Sequence, residues 1–337
     1  MSPRTRAVAV VAALVTTLGL APAAPSAAQP DLQQPGGGPL PEFTFAGQLF
    51  DHDELNYNPT GEFIFPSVFH AGRYLEDPLG EWYLYYAPHE RPGGISLAYA
   101  DSLDGPWTEY PNNPIISNQW PPHYDQVSHV SSPDAFWHPE ERQVFLYFHG
   151  ENSVTRYATS SDGVHFSYGD IAINAADAGS GVSEASYARV FAHPDRAHGP
   201  RYAMFFMDNL NNTRRIRVAT SDDARTWQID PEPLVVPGPV EGANVSSADL
   251  WRWRGRYYVI YHASSGNIYA RPVDRALSEV GEPLLLHDSM DAPPDLGRSA
   301  APQIVAAGGK QYLFYEAGGR LTATIAYAVA PTGVGVG

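Results

Sequence analysis

HVSSPDAFW, His129 to Trp137, returns much later in the chain as NVSSADLWRW, Asn244 to Trp253. Both stretches read Val-Ser-Ser-X-Asp and run on into aromatic residues, with Asp134 and Asp249 separated by 115 positions. A repeat at that distance calls for further copies. Between the two stands SEASYARVFAHP, where Phe191, His193 and Pro194 match Phe136, His138 and Pro139 and place Arg189 at the aspartate position. Upstream, FPSVFHAG places Ser67 there, and downstream AAPQIVAAGG places Gln303. Ser67, Asp134, Arg189, Asp249 and Gln303 are then 67, 55, 60 and 54 residues apart. That period suits one four-stranded propeller blade per unit.

Each unit repeats the same order of parts. After the first strand and a Gly or Pro turn comes a second, rich in aromatic and branched residues: EWYLYYA, RQVFLYF, RYAMFFM, RYYVIYH and KQYLFYE. An alternating strand follows in ISLAYADS, VTRYATSS and IRVATSDD, and then a turn in SLDGPW, SSDGVHF and SDDARTW. Asp-Gly marks a tight turn, and the aromatic residue after it has the bulk to pack between blades. No amphipathic run of helical length separates the strands, which excludes a Rossmann or barrel reading. A pair of β-sandwiches would leave the five-fold register unexplained. The expected fold is all-β, a five-bladed propeller, with Val-Ser-Ser-X-Asp on the innermost strand of blades two and four. Inner strands line the central channel, so both aspartates are candidates for its funnel; the plainer reading has each aspartate capping a neighbouring backbone.

The ends read differently. Arg4 and Arg6 precede an apolar run from Ala7 to Ala21 and then small residues, the pattern of an export signal too short for a stable membrane span. We assign residues 1–28 to a signal peptide, 29–42 to a flexible Pro/Gly linker, 43–330 to the propeller and 331–337 to a tail. The expected localisation is secreted and extracellular. With no cysteine in the chain, a disulfide framework, a thiolate metal site and a cysteine nucleophile are excluded. A formal net charge of −16 without a basic run argues against a nucleic-acid or membrane partner. A monomer is expected.

Topology supplies the candidate site. If the inner strands run away from the mouth, the loops after the second strands return to it, and these read APHE, FHGE, MDN, YHAS and YEAG. They carry His89, Glu90, His149, Glu151, Asp208, His262 and Glu316 at nearly one offset. On adjacent blades, His89 and His149 are expected to be neighbours. A funnel edged with acids, imidazoles and aromatic residues such as Trp82, Trp137 and Tyr187 suits a polyhydroxylated ligand, because carboxylates accept from sugar hydroxyls and aromatic faces stack on sugar rings. Arg189, if inward, would pair with an acid or clamp a substrate carboxylate.

The five-unit pattern, the strand start SPDAFW, the WYLYY and RYYVIY strands and the S-DG-W turns resemble the five-bladed propeller glycosidases of glycoside hydrolase family 43 and its relatives. The resemblance spans about Phe43 to Val329. It implies an inverting mechanism with a general base on blade one, an orienting aspartate on blade two and a general acid glutamate on blade three. Asp134 matches the second. Where the family has Asp-Pro on blade one, Phe65 precedes Pro66, and the blade-three register falls near Ser186, two residues from Glu184. The catalytic candidates are therefore Asp134, Glu184 and, from DHDEL, Asp53 or Asp51 as a displaced base. Substrate-binding candidates are His89, Glu90, His129, His149, Glu151, Arg189, Asp208, Asp249, His262 and Glu316. No metal ligand is assigned, although Asp51, His52 and Asp53 form a short metal-type cluster and a structural calcium in the central channel is compatible with the fold. Two other functions stay open: a carbohydrate-binding propeller without catalysis, and a polysaccharide lyase using His89, His129 or His149 with a tyrosine.

Overall fold

The computed structural model describes residues 38–51, 54–120, 127–290 and 293–332. Its strands form five four-stranded antiparallel sheets. Blade one comprises β2 (Ile64–Phe69), β3 (Trp82–Ala87), β4 (Ser96–Ala100) and β5 (Thr108–Glu109). Blade two holds β6 (Ser131–His138), β7 (Gln143–Gly150), β8 (Val154–Ser160) and β9 (Ser167–Asn174). Blade three follows with β10 (Val182–Ala192), β11 (Tyr202–Leu210), β12 (Thr213–Ser221) and β13 (Gln228–Ile229). Blade four is β14 (Val245–Trp253), β15 (Arg256–Ala263), β16 (Ile268–Val273) and β17 (Leu284–His287). Blade five has β18 (Ser299–Ala307), β19 (Lys310–Ala317) and β20 (Thr324–Pro331), and its outermost strand is β1 (Thr44–Gln48) from the other end of the chain.

β2, β6, β10, β14 and β18 each touch the next one round, and β18 touches β2, so the five first strands close a ring. Ser67, Asp134, Arg189, Asp249 and Gln303 all lie on these innermost strands, as the repeat register requires. The second strands carry a continuous apolar run through their middles because both of their faces are covered there. On β7, Val144, Leu146 and Phe148 pack towards Tyr83, Tyr85 and Leu97 of blade one, while Phe145 and Tyr147 pack towards Met204 and Phe206 of blade three. The aromatic residues after the turns do join blades: Phe166 lies 6.1 Å from Tyr85, and Trp227 lies 6.1 Å from Tyr147.

Every inner strand carries a bulge at one place. Register slips between Ile64 and Ser67, Ser131 and Asp134, Ser186 and Arg189, Ser246 and Asp249, and Ala300 and Gln303. In each slip a non-glycine residue takes the left-handed conformation: Phe65, Ser132, Tyr187, Ser247 and Ala301, with φ between 44° and 59°. Left-handed backbone is costly for residues with a Cβ and persists where surrounding contacts over-determine it. Five repetitions make it an architectural device that re-aims side chains at the top of the channel.

Below the bulges, side chains of the register positions clasp neighbouring blades. Gln303 Oε1 accepts from Val68 N at 2.6 Å, Ser67 Oγ accepts from Ala135 N at 3.0 Å, and Asp134 Oδ2 accepts from Val190 N at 2.7 Å. These links run from blade five to one, one to two and two to three. Arginine has no acceptor, so Arg189 cannot continue the series. It donates instead to Asp134 Oδ1 at 3.1 Å, Pro133 O at 3.3 Å and Pro66 O at 2.8 Å.

Candidate active site

The ends of the second strands meet the starts of the inner strands at one mouth, through the register pairs Ala87 with Ile64, His149 with Ser131, Met207 with Ser186, His262 with Ser246 and Glu316 with Ala300. Two of these residues fasten the bulge of the next blade. Glu316 Oε1 accepts from Phe65 N at 3.2 Å and its Oε2 from Arg298 at 2.7 Å, while His262 Nδ1 accepts from Ala301 N at 3.2 Å. Burial, reinforced by Arg298 and Arg214, lowers the His262 pKa to about 3, so the ring is held as a neutral acceptor. Asp208 is buried and committed within blade three, to Arg215 at 2.9 and 2.5 Å and to Arg217 at 3.1 Å.

His149, at the same register as His262 and Glu316, does no such fastening. It stands with His89, from the loop after β3, and His129, just before β6. The ring centroids lie 5.1 Å apart for His89 and His129, 5.9 Å for His89 and His149, and 5.4 Å for His129 and His149. One nitrogen from each ring falls within 4.8 Å of the others, and all three residues are buried. Neither nitrogen of His149 has a hydrogen-bond partner. Burial lowers all three pKa values, that of His89 to about 3. Arg320 and His129 add to the effect on His89; His89 and His129 add to that on His149, and Asn152 opposes it. His129 Nδ1 lies 2.8 Å from Ser128 Oγ and its Nε2 lies 3.1 Å from Asn152 Oδ1. Arg320, from the turn before β20, donates to His89 Nδ1 at 2.7 Å and to Glu90 at 2.9 Å.

The bulge residues form the floor. Phe65 and Tyr187 belong to blades one and three, which are not neighbours, yet their rings lie 5.3 Å apart and so meet across the channel. They share a buried cluster with Ala301 of blade five and Met207. Phe65 also lies 6.0 Å from His89, and Tyr187 lies 5.3 Å from His149. Asp134, Arg189 and Asp249 sit two residues further along their strands, roughly 7 Å below. There Asp134 and Arg189 are almost fully buried, and burial outweighs the arginine and the Val190 N–H in raising the Asp134 pKa. Asp249 accepts from its own Leu250 N at 2.7 Å. Burial first, opposed by Arg189 and aided by Asp134, raises its pKa to about 7.

The remaining carboxylates at the mouth are paired with arginines. Glu184 accepts from Asn209 at 2.6 Å and from Arg214 at 3.4 Å, and Glu151 takes Arg156 at 2.7 Å. Asp51 is exposed, its N–H bonded to Glu54, and Asp53 lies outside the described residues. The structure thus brings His89, His129 and His149 together as expected for the first and last, with Glu90 beside them. It separates them from the Asp134 layer beneath. Of the aromatic residues expected at the funnel, Tyr187 is there, whereas Trp82 and Trp137 stack on His70 and Tyr74 at the far ends of their strands. Phe65 was not legible as a site residue, because its placement depends on the bulge, and no sequence signal marks a left-handed Phe.

No protein-family model matches the sequence, and no curated protein matches it. Solved structures do. An N-acetylgalactosamine deacetylase from F. plautii, in complex with blood group B trisaccharide, aligns with a TM-score of 0.62 at 15% identity over 86% of this chain and 95% of its own. A thermostable family-43 glycoside hydrolase aligns at 0.57 and 15% identity over 81% and 91%. An α-L-arabinofuranosidase from Podospora anserina, in complex with cellotriose, aligns at 0.60 and 12% identity over 87% and 98%. The chain has the five-bladed β-propeller fold of these carbohydrate-active enzymes.

Proposed function

We propose that the protein is an exported hydrolase of carbohydrates, with a glycosidic linkage as its first expected target, and that substrate is bound at the mouth over Phe65 and Tyr187. The observation that carries this reading is the layer made by the five bulges: two aromatic rings from non-adjacent blades that meet across the channel, beside three clustered imidazoles of which His149 fastens nothing. The two packed rings supply an apolar aromatic floor against which a sugar can rest, and neighbouring Glu184 and Arg214 supply polar contacts to hydroxyls. Asp134 and Arg189 support this layer from below. The fold shared with sugar-processing enzymes supports the substrate class, and the Arg4, Arg6 and Ala7 to Ala21 pattern supports export.

The paired carboxylates bear on mechanism. A glycosidase of the two-carboxylate kind needs one group protonated near neutrality and one ionised. Glu184, held by Asn209 and Arg214 beside Tyr187, is a carboxylate placed at the mouth to take part. The test is a panel of polysaccharides and oligosaccharides incubated with purified protein, with products separated and their reducing ends counted. Hydrolysis products are expected, with kcat/KM for Tyr187→Ala down by about tenfold or more, the scale of a lost stacking contact. Glycan binding without product would replace the reading by a binding propeller. Products carrying a new double bond would replace it by a lyase.

A further inference from the structure

We propose that His89, His129 and His149 bind one divalent transition-metal ion of the zinc class at the mouth of the channel. The three come from separate segments, yet one nitrogen of each lies within 4.8 Å of the others. Tetrahedral ligands on bonds of about 2.0–2.1 Å stand about 3.3 Å apart, so small side-chain rotations close the set. The second observation is His149 itself. It is 1% exposed and neither nitrogen has a partner, whereas His262 and Glu316 at the equivalent register each hold a backbone N–H. A buried polar group left unpaired is costly, and such groups in folded proteins have a reason. A metal ion supplies it.

The donor set selects the ion. Among the described residues the clustered donors are three imidazoles, with the nearby Glu90 carboxylate engaged by Arg320, and imidazole donors favour zinc, cobalt, nickel or copper over calcium and magnesium, which want oxygen. Ser128 on His129 Nδ1 is the kind of outer partner that fixes a ligand ring. Three protein ligands leave a coordination position for water or substrate, the arrangement of ions that take part in chemistry. That chemical role rests on the carbohydrate-hydrolase reading; the binding of the ion does not.

Arg320 is the charged competitor, at His89, and Asn152 Oδ1, 3.1 Å from His129 Nε2, must also yield its nitrogen. A neutral imidazole carries one proton, so while Nδ1 of His89 accepts from Arg320, Nε2 holds that proton. Binding a metal through Nδ1 takes the same lone pair, and binding through Nε2 moves the proton to Nδ1. Either way Arg320 must release His89, and it is half exposed with Glu90 as its other partner.

The experiment uses the untagged chain, stripped with a chelator and titrated with Zn²⁺ and Co²⁺. Calorimetry gives stoichiometry, and the visible absorption of bound Co²⁺ reports nitrogen ligation. One ion per chain is expected, with a higher melting temperature on loading. His149→Ala should weaken binding by about 100-fold or more, and Arg320→Ala should tighten it by about tenfold as the competing cation leaves. If His149→Ala fails to fold, the wild-type titration and Arg320→Ala still decide. Absence of Zn²⁺ and Co²⁺ binding, binding that His149→Ala leaves unchanged, or binding that Arg320→Ala weakens would overturn the site. An ion bound without glycan turnover refutes the hydrolase reading alone, and turnover that survives chelation refutes the ion as its agent.

Discussion

Changing the two repeated aspartates to asparagine should move stability in opposite directions. Asp134 is paired with Arg189 and caps Val190 N, with both partners almost fully buried. Removing one member of a buried ion pair costs about 3–5 kcal/mol, because the other charge is stranded. Arg189 keeps the Pro133 and Pro66 carbonyls, and the burial that raises the Asp134 pKa is relieved, so Asp134→Asn should cost about 2–3 kcal/mol at pH 8. Asp249 is the reverse case. Its folded pKa of about 7 lies above the unfolded value near 4, so the native state holds the proton longer and wild-type stability falls as pH rises between about 4 and 7. Three units set a ceiling of about 4 kcal/mol, and the solvent that Asp249 still meets in the channel reduces this to about 1–2 kcal/mol. Asp249→Asn should therefore be more stable than wild type by that amount at pH 8 and equal to it near pH 4. In the double variant Arg189 has no anion, and the loss should exceed the sum of the single changes. Denaturant unfolding at the two pH values measures all four proteins. Loss of stability in Asp249→Asn at pH 8, or the same sign for both single variants, would refute this account of the channel.

Other expectations follow from the mouth and the closure. His262, held neutral with a pKa of about 3 against about 6.5 unfolded, contributes stability that is complete above pH 6.5 and is lost as pH falls towards 3. His262→Asn, which keeps an acceptor for Ala301 N, should flatten the acid limb of the stability curve by about one proton. Glu316→Gln retains an acceptor for Phe65 N but strands Arg298, and should cost about 1–2 kcal/mol in thermal unfolding with a loss of glycan turnover as the bulge loosens. Deleting residues 38–48 removes β1 and bares the edge of β20; a melting temperature lowered by many degrees and concentration-dependent aggregation are the expected readouts.

The propeller was legible because its second strands are buried on both faces, which forces continuous apolar runs such as QVFLYF that recur once per blade. The inner strands were legible through Val-Ser-Ser-X-Asp, and the pairing of Arg189 with an acid could be anticipated from its register. The bulges were not, since Phe65, Ser132, Tyr187, Ser247 and Ala301 share no side-chain property; the hydrogen bonds and packing around them set their backbone. Nor was β1, a short and mostly exposed strand whose partner lies at the far end of the chain. His129 escaped the comparison of rim loops because it precedes an inner strand, while His89 and His149 follow second strands. Loop offsets reveal a pair, and only the fold adds the third ring.

The clasps along the channel wall have a direction, and they are unevenly distributed. Side-chain acceptors tie blade five to one, one to two and two to three, whereas Arg189 cannot accept and Asp249 turns to its own strand. Among the described residues, blade four is thus the one held at the wall by neither neighbour's register residue nor its own. A wall with such a gap does not breathe uniformly: blade four keeps its ties at the mouth, through Asn244 to Arg214 N and His262 to Ala301 N, and has fewer along the channel beneath. In native-state hydrogen exchange the amides of β14 below its bulge should open before those of β2, β6 and β10.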